Sequence, residues 1–315
     1  MPEPPRKRPS RAARERALRR RRGGALLVVL LIVGGILALT LAFGSGGGKN
    51  ADRSRPGGPV TTTVGKGSRT RRPKETQAKL DQLADRAVVH YAELGLPVYC
   101  GGTNKKVVAL TFDDGPGPYT AASILHVLRK RHARATFFLV GRRIQEYPSV
   151  PRQEAALGAV GDHTWNHAQL TGLDVNAMKS EVEDAQTAIA QATEGPVALF
   201  RPPYGAHDGA VDREVSSLGM VEVMWSLDSL DWQGGNGKSV VARVLQHVRP
   251  GSIVLMHDIH PNTVAAIWKL VPALHRLGYR LVSVPELLAL DPPTDRQLQL
   301  GIAGCPGSAA QPGAG

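Results

Sequence analysis

The chain has 315 residues, enough for one α/β domain of about 200 to 250 residues with extensions at its ends. Its net charge of +12 is confined to the N-terminal region: residues 1–75 carry 18 Lys and Arg against 4 Asp and Glu, and residues 76–315 carry 21 against 23. Because a nucleic-acid-binding surface needs basic residues clustered on the folded domain, this distribution argues against nucleic acid as a partner.

The N-terminal region has the pattern of a membrane anchor. Residues 1–24 are basic, and residues 25–43 carry no charge. Nineteen residues rise about 28 Å as a helix, close to the hydrocarbon thickness of a bilayer. Because cytoplasmic flanks are rich in Lys and Arg, we expect a cytoplasmic tail at 1–24, a transmembrane helix at 25–43 and an extracellular remainder. The alternative is a signal peptide cleaved at the small residues 44–46, although its apolar part would exceed the usual length of about 7 to 15 residues.

Residues 44–76 are rich in Gly, Ser, Pro, Thr and basic residues. Such a composition cannot bury enough apolar surface to fold, so a disordered linker is expected. The chain has two cysteines, Cys100 and Cys305. In an extracellular domain they suggest a disulfide that holds the C-terminal tail to the first strand, and two unpaired thiols are the alternative.

Apolar runs and amphipathic segments alternate along the rest of the chain. A helix is expected at 77–94, within an N-terminal extension at 77–104, and a catalytic domain at 105–290 is followed by a C-terminal tail at 291–315. Within the domain, strands are expected at 107–111, 135–140, 199–201, 221–225, 253–257 and 280–283, and helices at 123–131, 175–192, 240–248 and 264–277. This alternation predicts an α/β fold with a parallel sheet or barrel and helices outside it.

The apolar run at 107–112 ends in two adjacent carboxylates, Asp113 and Asp114. Neighbouring carboxylates in a cleft repel each other unless a cation or a shared proton lies between them. His163 and His167 are four residues apart, and on a helical turn both imidazoles would reach one ion. Two histidines and one carboxylate form a three-ligand catalytic zinc site that leaves a position for water. The second carboxylate could then accept a proton from that water.

Two further residues complete the pattern. Arg201 could hold the catalytic carboxylate, because a guanidinium pairs with a carboxylate in a fixed geometry, or it could form an ordinary salt bridge at a loop. His257 ends the apolar run 253–256 and is a candidate general acid, with a hydrogen-bonded core histidine as the alternative.

These segments resemble the motifs of the polysaccharide deacetylase family, also called the NodB-homology domain or carbohydrate esterase family 4. The resemblance covers about residues 107–290. Its five motifs, in the family's order, are TFDDGP at 111–116, HTWNH at 163–167, RPPYG at 201–205, DSLDW at 228–232 and LMHD at 255–258. The fold that it implies is a distorted (β/α) barrel with fewer than eight full units.

The resemblance also implies roles for individual residues. It makes Asp113 the general base, oriented by Arg201, and His257 the general acid, tuned by Asp231. Asp114, His163 and His167 become the ligands of Zn²⁺, with Co²⁺ or Ni²⁺ as alternatives. The groups expected to contact substrate are the Tyr204 backbone N–H at the oxyanion, Trp232 as a wall of the sugar groove and Leu255 in the acetyl pocket.

The implied function is metal-dependent removal of N-acetyl groups from N-acetylglucosamine units of an extracellular polysaccharide, either peptidoglycan or a chitin-like oligomer. A monomer is expected. O-Deacetylation of xylan or another acetylated glycan is the alternative among enzymes, and a non-catalytic glycan-binding domain is the alternative outside them. The sequence departs from the family pattern at 157–161, at Ala168 and at His207, where an aromatic residue is frequent. These departures affect the expected shape of the substrate groove and hence the choice of substrate. They do not change any of the expected catalytic residues.

Overall fold

A computed structural model describes residues 72–308 of the chain. The predicted cytoplasmic tail, the predicted transmembrane helix and residues 44–71 of the predicted linker lie outside the described residues, as do residues 309–315. Within 72–308, no helix is both long and apolar enough to cross a bilayer.

Eight strands and nine α-helices make up the described part of the chain. The strands are β1 Val107–Gly115, β2 Ala135–Leu139, β3 Gly158–Asp162, β4 Leu199–Phe200, β5 Val221–Glu222, β6 Leu227–Asp228, β7 Ile253–His257 and β8 Arg280–Val282. The helices are α1 Arg72–Leu94, α2 Leu125–Lys130, α3 Val150–Ala155, α4 Val175–Thr193, α5 Gly209–Ser217, α6 Gly237–His247, α7 Pro261–Arg276, α8 Val284–Leu290 and α9 Asp295–Leu300. Short 3₁₀ turns include Pro203–Gly205, Asp231–Gln233 and Gly301–Gly304.

The strands form one parallel sheet in the order β5-β4-β3-β2-β1-β7-β6, and β8 pairs with the first half of β1. Among the described strands no ladder joins β5 to β6, so the curved sheet is not closed by hydrogen bonds between these strands. The sheet with its surrounding helices fits the distorted barrel that the family resemblance implies. Because all ladders are parallel, the carboxyl ends of the strands meet at one edge, where barrel enzymes place their active sites.

The side chains of β1 alternate between two apolar clusters. Val108, Leu110 and Phe112 belong to the cluster that includes the buried faces of the surrounding helices. Val107 and Ala109 belong to a second cluster, which also contains residues of α1 and α8. Because successive residues of a strand point to opposite faces, Thr111 and Asp113 continue the row of Val107 and Ala109. A buried apolar row therefore ends in a carboxylate at the carboxyl edge of the sheet.

Most predicted elements are confirmed, with small shifts at their ends. The sequence interpretation missed two strands, the two-residue β6 and the five-residue β3. β3 begins with Gly158 and also contains Gly161, and glycine disfavours a strand. The packing explains both glycines. A Cβ at Gly158 would lie 1.8 Å from the Ala135 carbonyl oxygen, and one at Gly161 would lie 2.6 Å from the Phe138 ring.

Helices occur in two segments that were predicted to be a linker or a tail. α1 begins at Arg72, inside the last residues of the predicted linker. The predicted C-terminal tail contains α9 and the turn Gly301–Gly304. Cys305 then forms a disulfide with Cys100, which joins the end of the described chain to the segment that precedes β1.

The disulfide closes a loop of 205 residues, and a cross-link of this span removes much of the conformational entropy of the unfolded chain. We expect Cys305→Ser to lower the free energy of unfolding by about 2 to 5 kcal/mol, measured by urea denaturation. Dithiothreitol should destabilise the wild type by a similar amount and leave the variant unchanged. A variant as stable as the oxidised wild type would contradict this prediction.

Candidate active site

A buried ion pair lies at the centre of the carboxyl edge. The Arg201 side chain is fully buried, and its Nη1 donates to Asp113 Oδ1 at 2.7 Å and to Thr111 Oγ1 at 2.7 Å. Its Nε and Nη2 donate to the carbonyl oxygens of Val223 and Met224, both at 2.9 Å. Burial lowers the pKa of Arg201, and the Asp113 carboxylate opposes this shift. A guanidinium held by four acceptors is a rigid support for one oxygen of Asp113.

Three further side chains converge beside Asp113. Asp114 Oδ1 lies 3.1 Å from His167 Nε2 and 3.5 Å from His163 Nε2. The two imidazole rings are 4.9 Å apart. Together, one nitrogen from each histidine and one oxygen from Asp114 all lie within 4.8 Å of one another.

The hydrogen bonds around this group favour a cation at its centre. His163 Nδ1 lies 2.7 Å from the Arg201 carbonyl oxygen, to which it can only donate, and this leaves the lone pair of Nε2 directed at Asp114. Asp114 Oδ1 is buried and has no hydrogen-bond partner. Burial opposes ionisation, but the two histidines outweigh it and hold the pKa of Asp114 far below its usual range. Two imidazole nitrogens and an ionised carboxylate fit a divalent transition metal such as zinc.

The two histidines do not lie on a helical turn, and that prediction is wrong. They lie on an irregular loop after β3, in which Thr164 and His167 have φ values of 65° and 62°. Glu181 of α4 holds this loop by accepting from the backbone N–H of Asn166 at 2.8 Å and from its side chain at 2.6 Å. Thr164 N–H also donates to the buried Asp162 carboxylate at 2.7 Å.

Positive φ values also occur at other predicted site residues. Asp114 has φ 68°, and Tyr204 has φ 62°. Non-glycine residues rarely adopt this conformation, and such strain is concentrated at functional sites. The β1–β2 ladder shifts register between Phe112 and Gly115, so a bulge turns Asp114 towards the histidines. Simple alternation along the strand does not account for its direction.

His257 lies opposite Asp113 in the β1–β7 ladder. Its Nδ1 is 2.8 Å from Asp231 Oδ1, and its backbone N–H donates to Asp231 Oδ2 at 2.8 Å. Thr263 Oγ1 donates to the same Oδ2. Burial alone would lower the pKa of His257, but its hydrogen bond with Asp231 and the charge of Asp231 raise the pKa to about 9. The imidazole is therefore set to carry a proton at neutral pH, as a general acid requires.

The three predicted substrate-contacting residues differ in exposure. Tyr204 is 69% exposed, and its ring lies 4.7 Å from the His167 ring. Trp232 is 48% exposed, and its Nε1 donates to Asp228 Oδ2 at 3.4 Å. Leu255 is buried on β7 opposite Thr111. Two aromatic rings thus offer exposed surface close to the candidate catalytic residues, which suits contact with a sugar ring.

The sequence interpretation missed several residues that position this site. The Thr111 hydroxyl accepts from Arg201 Nη1 and donates to the Val254 carbonyl oxygen. The sequence interpretation assigned it no role beyond its place in the first motif. Thr263 and Glu181 lie on helices, where their spacing resembles that of ordinary polar positions. No local signal in the sequence separates them from solvent-facing residues, because their role comes from packing of distant segments.

Comparison with known proteins agrees with the geometry. A family model described as polysaccharide deacetylase matches residues 101–223. The peptidoglycan-N-acetylmuramic acid deacetylase PdaC of Bacillus subtilis is 38% identical over 185 residues, which are 58% of this chain and 39% of that protein. A peptidoglycan-N-acetylglucosamine deacetylase of Bacillus cereus is 37% identical over 191 residues, which are 59% of this chain and 89% of that protein.

A solved structure extends the comparison. The crystal structure of a CE4 family pseudoenzyme from Bacillus anthracis is 30% identical, has a TM-score of 0.58, and is matched over 61% of this chain and 68% of that one. The chain belongs to the polysaccharide deacetylase family. It spans well under half of the length of PdaC. One relative of the same fold is a pseudoenzyme, so activity within this fold depends on which site residues are present.

The proposed ligands can be tested by metal content. We expect His163→Ala to lose one equivalent of bound zinc per chain, because two ligands cannot hold the ion as three do. Elemental analysis after dialysis against zinc-free buffer measures this loss. His126→Ala removes an exposed histidine of α2 and should keep the wild-type content. Wild-type stoichiometry in His163→Ala would rule out ligation by His163.

The Asp231–His257 pair predicts a change in the pH dependence of the reaction. Because Asp231 raises the pKa of His257 to about 9, the proton of the acid is present below that pH and is lost as the pH rises through it. Asp231→Asn removes the charge and leaves the effect of burial, so the alkaline limb of kcat/KM should move to lower pH. A bound divalent cation would move the alkaline limb to lower pH in both the wild type and the variant. The quantity to measure is therefore the difference in pH between their two limbs.

Thr263→Val is the matched control, because it removes one hydrogen bond to Asp231 and keeps the carboxylate charge. Its alkaline limb should stay closer to the wild-type position than that of Asp231→Asn. An unchanged limb in Asp231→Asn would show that His257 is not the group titrating there.

Proposed function

We propose that this chain is a metal-dependent N-deacetylase of amino-sugar polymers. One observation carries the proposal: a supported carboxylate, a three-ligand group and a carboxylate-paired imidazole face one another at one edge of the sheet. These are the base, the metal ligands and the acid that amide hydrolysis needs. A glycan-binding domain without activity would not require a buried arginine to fix one oxygen of Asp113.

The base is supplied by Asp113. Its Oδ1 is held by Arg201, and its Oδ2 lies 3.9 Å from His163 Nε2, on the side of the proposed ligands. The free oxygen can accept a proton from a water molecule that attacks the acetyl carbonyl carbon. A divalent cation held by Asp114, His163 and His167 would polarise this carbonyl and lower the pKa of the water.

The acid is supplied by His257. After the attack, the carbon–nitrogen bond breaks, and the amine nitrogen takes a proton from the imidazole. The Nδ1 of His257 faces Asp231, so Nε2 is the atom that donates to the leaving nitrogen. The products are acetate and a free amino sugar. The Tyr204 backbone N–H is proposed to stabilise the oxyanion, as the family resemblance implies.

Peptidoglycan is the substrate that we favour. The relatives in Bacillus subtilis and Bacillus cereus are named for peptidoglycan deacetylation, on N-acetylmuramic acid and N-acetylglucosamine respectively. The basic tail and the apolar segment 25–43 further suggest a chain anchored in the cell membrane, with the catalytic domain outside and next to the wall. A chitin-like oligomer and an O-acetylated glycan such as xylan are the alternative substrates.

Substrate choice is tested by acetate release. The full chain, purified in detergent and loaded with zinc, would be incubated with peptidoglycan fragments, chitooligosaccharides and acetylated xylan. We expect release from peptidoglycan fragments to exceed that from the other two. Mass spectrometry of the fragments identifies the sugar that has lost 42 Da, which is the net change in mass when hydrogen replaces an acetyl group. Release from xylan alone would overturn N-deacetylation, and release from none would favour the binding domain.

The role of Asp113 gives a sharper prediction. Asp113→Asn keeps the side-chain volume and removes the proton acceptor, so acetate release should fall by about 10²-fold or more while metal content stays unchanged. Asp184→Asn, an exposed position on α4, controls for the loss of one negative charge. A rate for Asp113→Asn near that of the wild type would exclude Asp113 as the base.

A further inference from the structure

A second group of potential ligands lies away from the site described above. His207 follows the turn Pro203–Gly205, Asp212 lies on α5, and Glu222 ends β5. Each offers an atom within 4.8 Å of the others. His207 Nδ1 is 3.0 Å from Asp212 Oδ1 and 3.3 Å from Glu222 Oε1. None of the three has a part in the proposed reaction.

Glu222 is the unusual member of the group. Its side chain is only 4% exposed, and neither carboxylate oxygen has a hydrogen-bond partner. Burial, with a smaller contribution from the neighbouring Asp212 carboxylate, raises the pKa of Glu222 to about 9. Buried carboxylates are normally hydrogen-bonded, so two orphaned oxygens beside an imidazole and a second carboxylate call for a missing partner.

The imidazole is oriented for ligation. His207 Nε2 lies 3.1 Å from the Tyr99 hydroxyl. When Nε2 donates its proton to this hydroxyl, the lone pair of Nδ1 faces the two carboxylates. In this tautomer the Nδ1 lone pair and the two carboxyl groups repel one another unless a proton on Glu222 or a bound cation lies between them. A hydrogen bond to the distal nitrogen is the usual way in which proteins fix the tautomer of a metal-bound histidine.

We propose that His207, Asp212 and Glu222 form a second divalent-cation site, which takes a metal such as Zn²⁺ through one nitrogen and two carboxylate oxygens. His207 and Asp212 are about a quarter exposed, so a cation can enter from solvent and a water can complete its coordination. The site would join the loop after Tyr204 to α5 and to the end of β5. Its role is structural, because it lies outside the reacting groups.

The test counts metal ions in a chain that lacks the first site. The double variant His163→Ala/His167→Ala of the full chain should retain one zinc per chain in equilibrium dialysis, where the wild type holds two. Adding Glu222→Gln to the double variant should reduce this to none. Zinc should raise the Tm of the double variant, because it binds only the folded chain, and should not raise the Tm of the triple variant.

Two controls separate the proposal from ordinary explanations. Glu214→Gln changes another buried glutamate on the same α5 helix and should keep the second zinc. Asp212→Asn, at a more exposed position, should weaken zinc binding even if Glu222→Gln disturbs folding. The proposal is overturned if the double variant binds no zinc, or if Glu222→Gln binds as much as Glu214→Gln. Stabilisation by Glu222→Gln with no response to zinc would show instead that Glu222 is a buried neutral acid.

Discussion

The ion pair between Arg201 and Asp113 is the interaction on which the rest of the site depends. Arg201 follows β4 and Asp113 lies near the carboxyl end of β1, two strands that are not neighbours in the sheet. A fully buried guanidinium is costly to desolvate, and here its bonds to one carboxylate, one hydroxyl and two carbonyl oxygens offset that cost. The Val223 and Met224 carbonyl oxygens belong to the segment between β5 and β6, where no ladder joins the described strands. Arg201 therefore links the catalytic strand to the open side of the curved sheet.

The same residue also acts on the proposed metal ligands. The backbone carbonyl oxygen of Arg201 accepts from His163 Nδ1, so one residue holds the proposed base with its side chain and a proposed ligand with its main chain. Removing the guanidinium would leave Asp113 as an uncompensated buried charge. Asp113 and the proposed ligand His163 are thus linked through Arg201, although they follow different strands.

The sequence predicts the fold class and the residues that meet at the candidate site. It predicts less well the loops and contacts that position those residues. Long apolar strands such as β1 and β7 stand out because their side chains are buried on both faces. β3 does not, because close contacts with Ala135 and Phe138 leave no room for the side chains that usually mark a strand. The spacing of His163 and His167 correctly suggests proximity for the wrong reason, since an irregular loop and not a helix brings them together. Thr263 and Glu181 could not be found from local patterns, because contacts between distant segments give them their roles.

Asp113 and His257 are partners in the β1–β7 ladder. The sheet therefore sets the spacing of the proposed reacting groups, whereas other parts of the molecule provide the surface proposed to contact substrate. Neighbouring strands lie about 4.8 Å apart, so the distance between the proposed proton acceptor and the proposed proton donor is set by backbone hydrogen bonding rather than by loop conformation. The exposed rings of Tyr204 and Trp232, by contrast, stand on short turns beyond the strands. Exchange of these turns between relatives should alter which polymer is accepted while the spacing of the reacting groups is inherited unchanged. Engineering of substrate preference can therefore begin at these two turns, without redesign of the sheet.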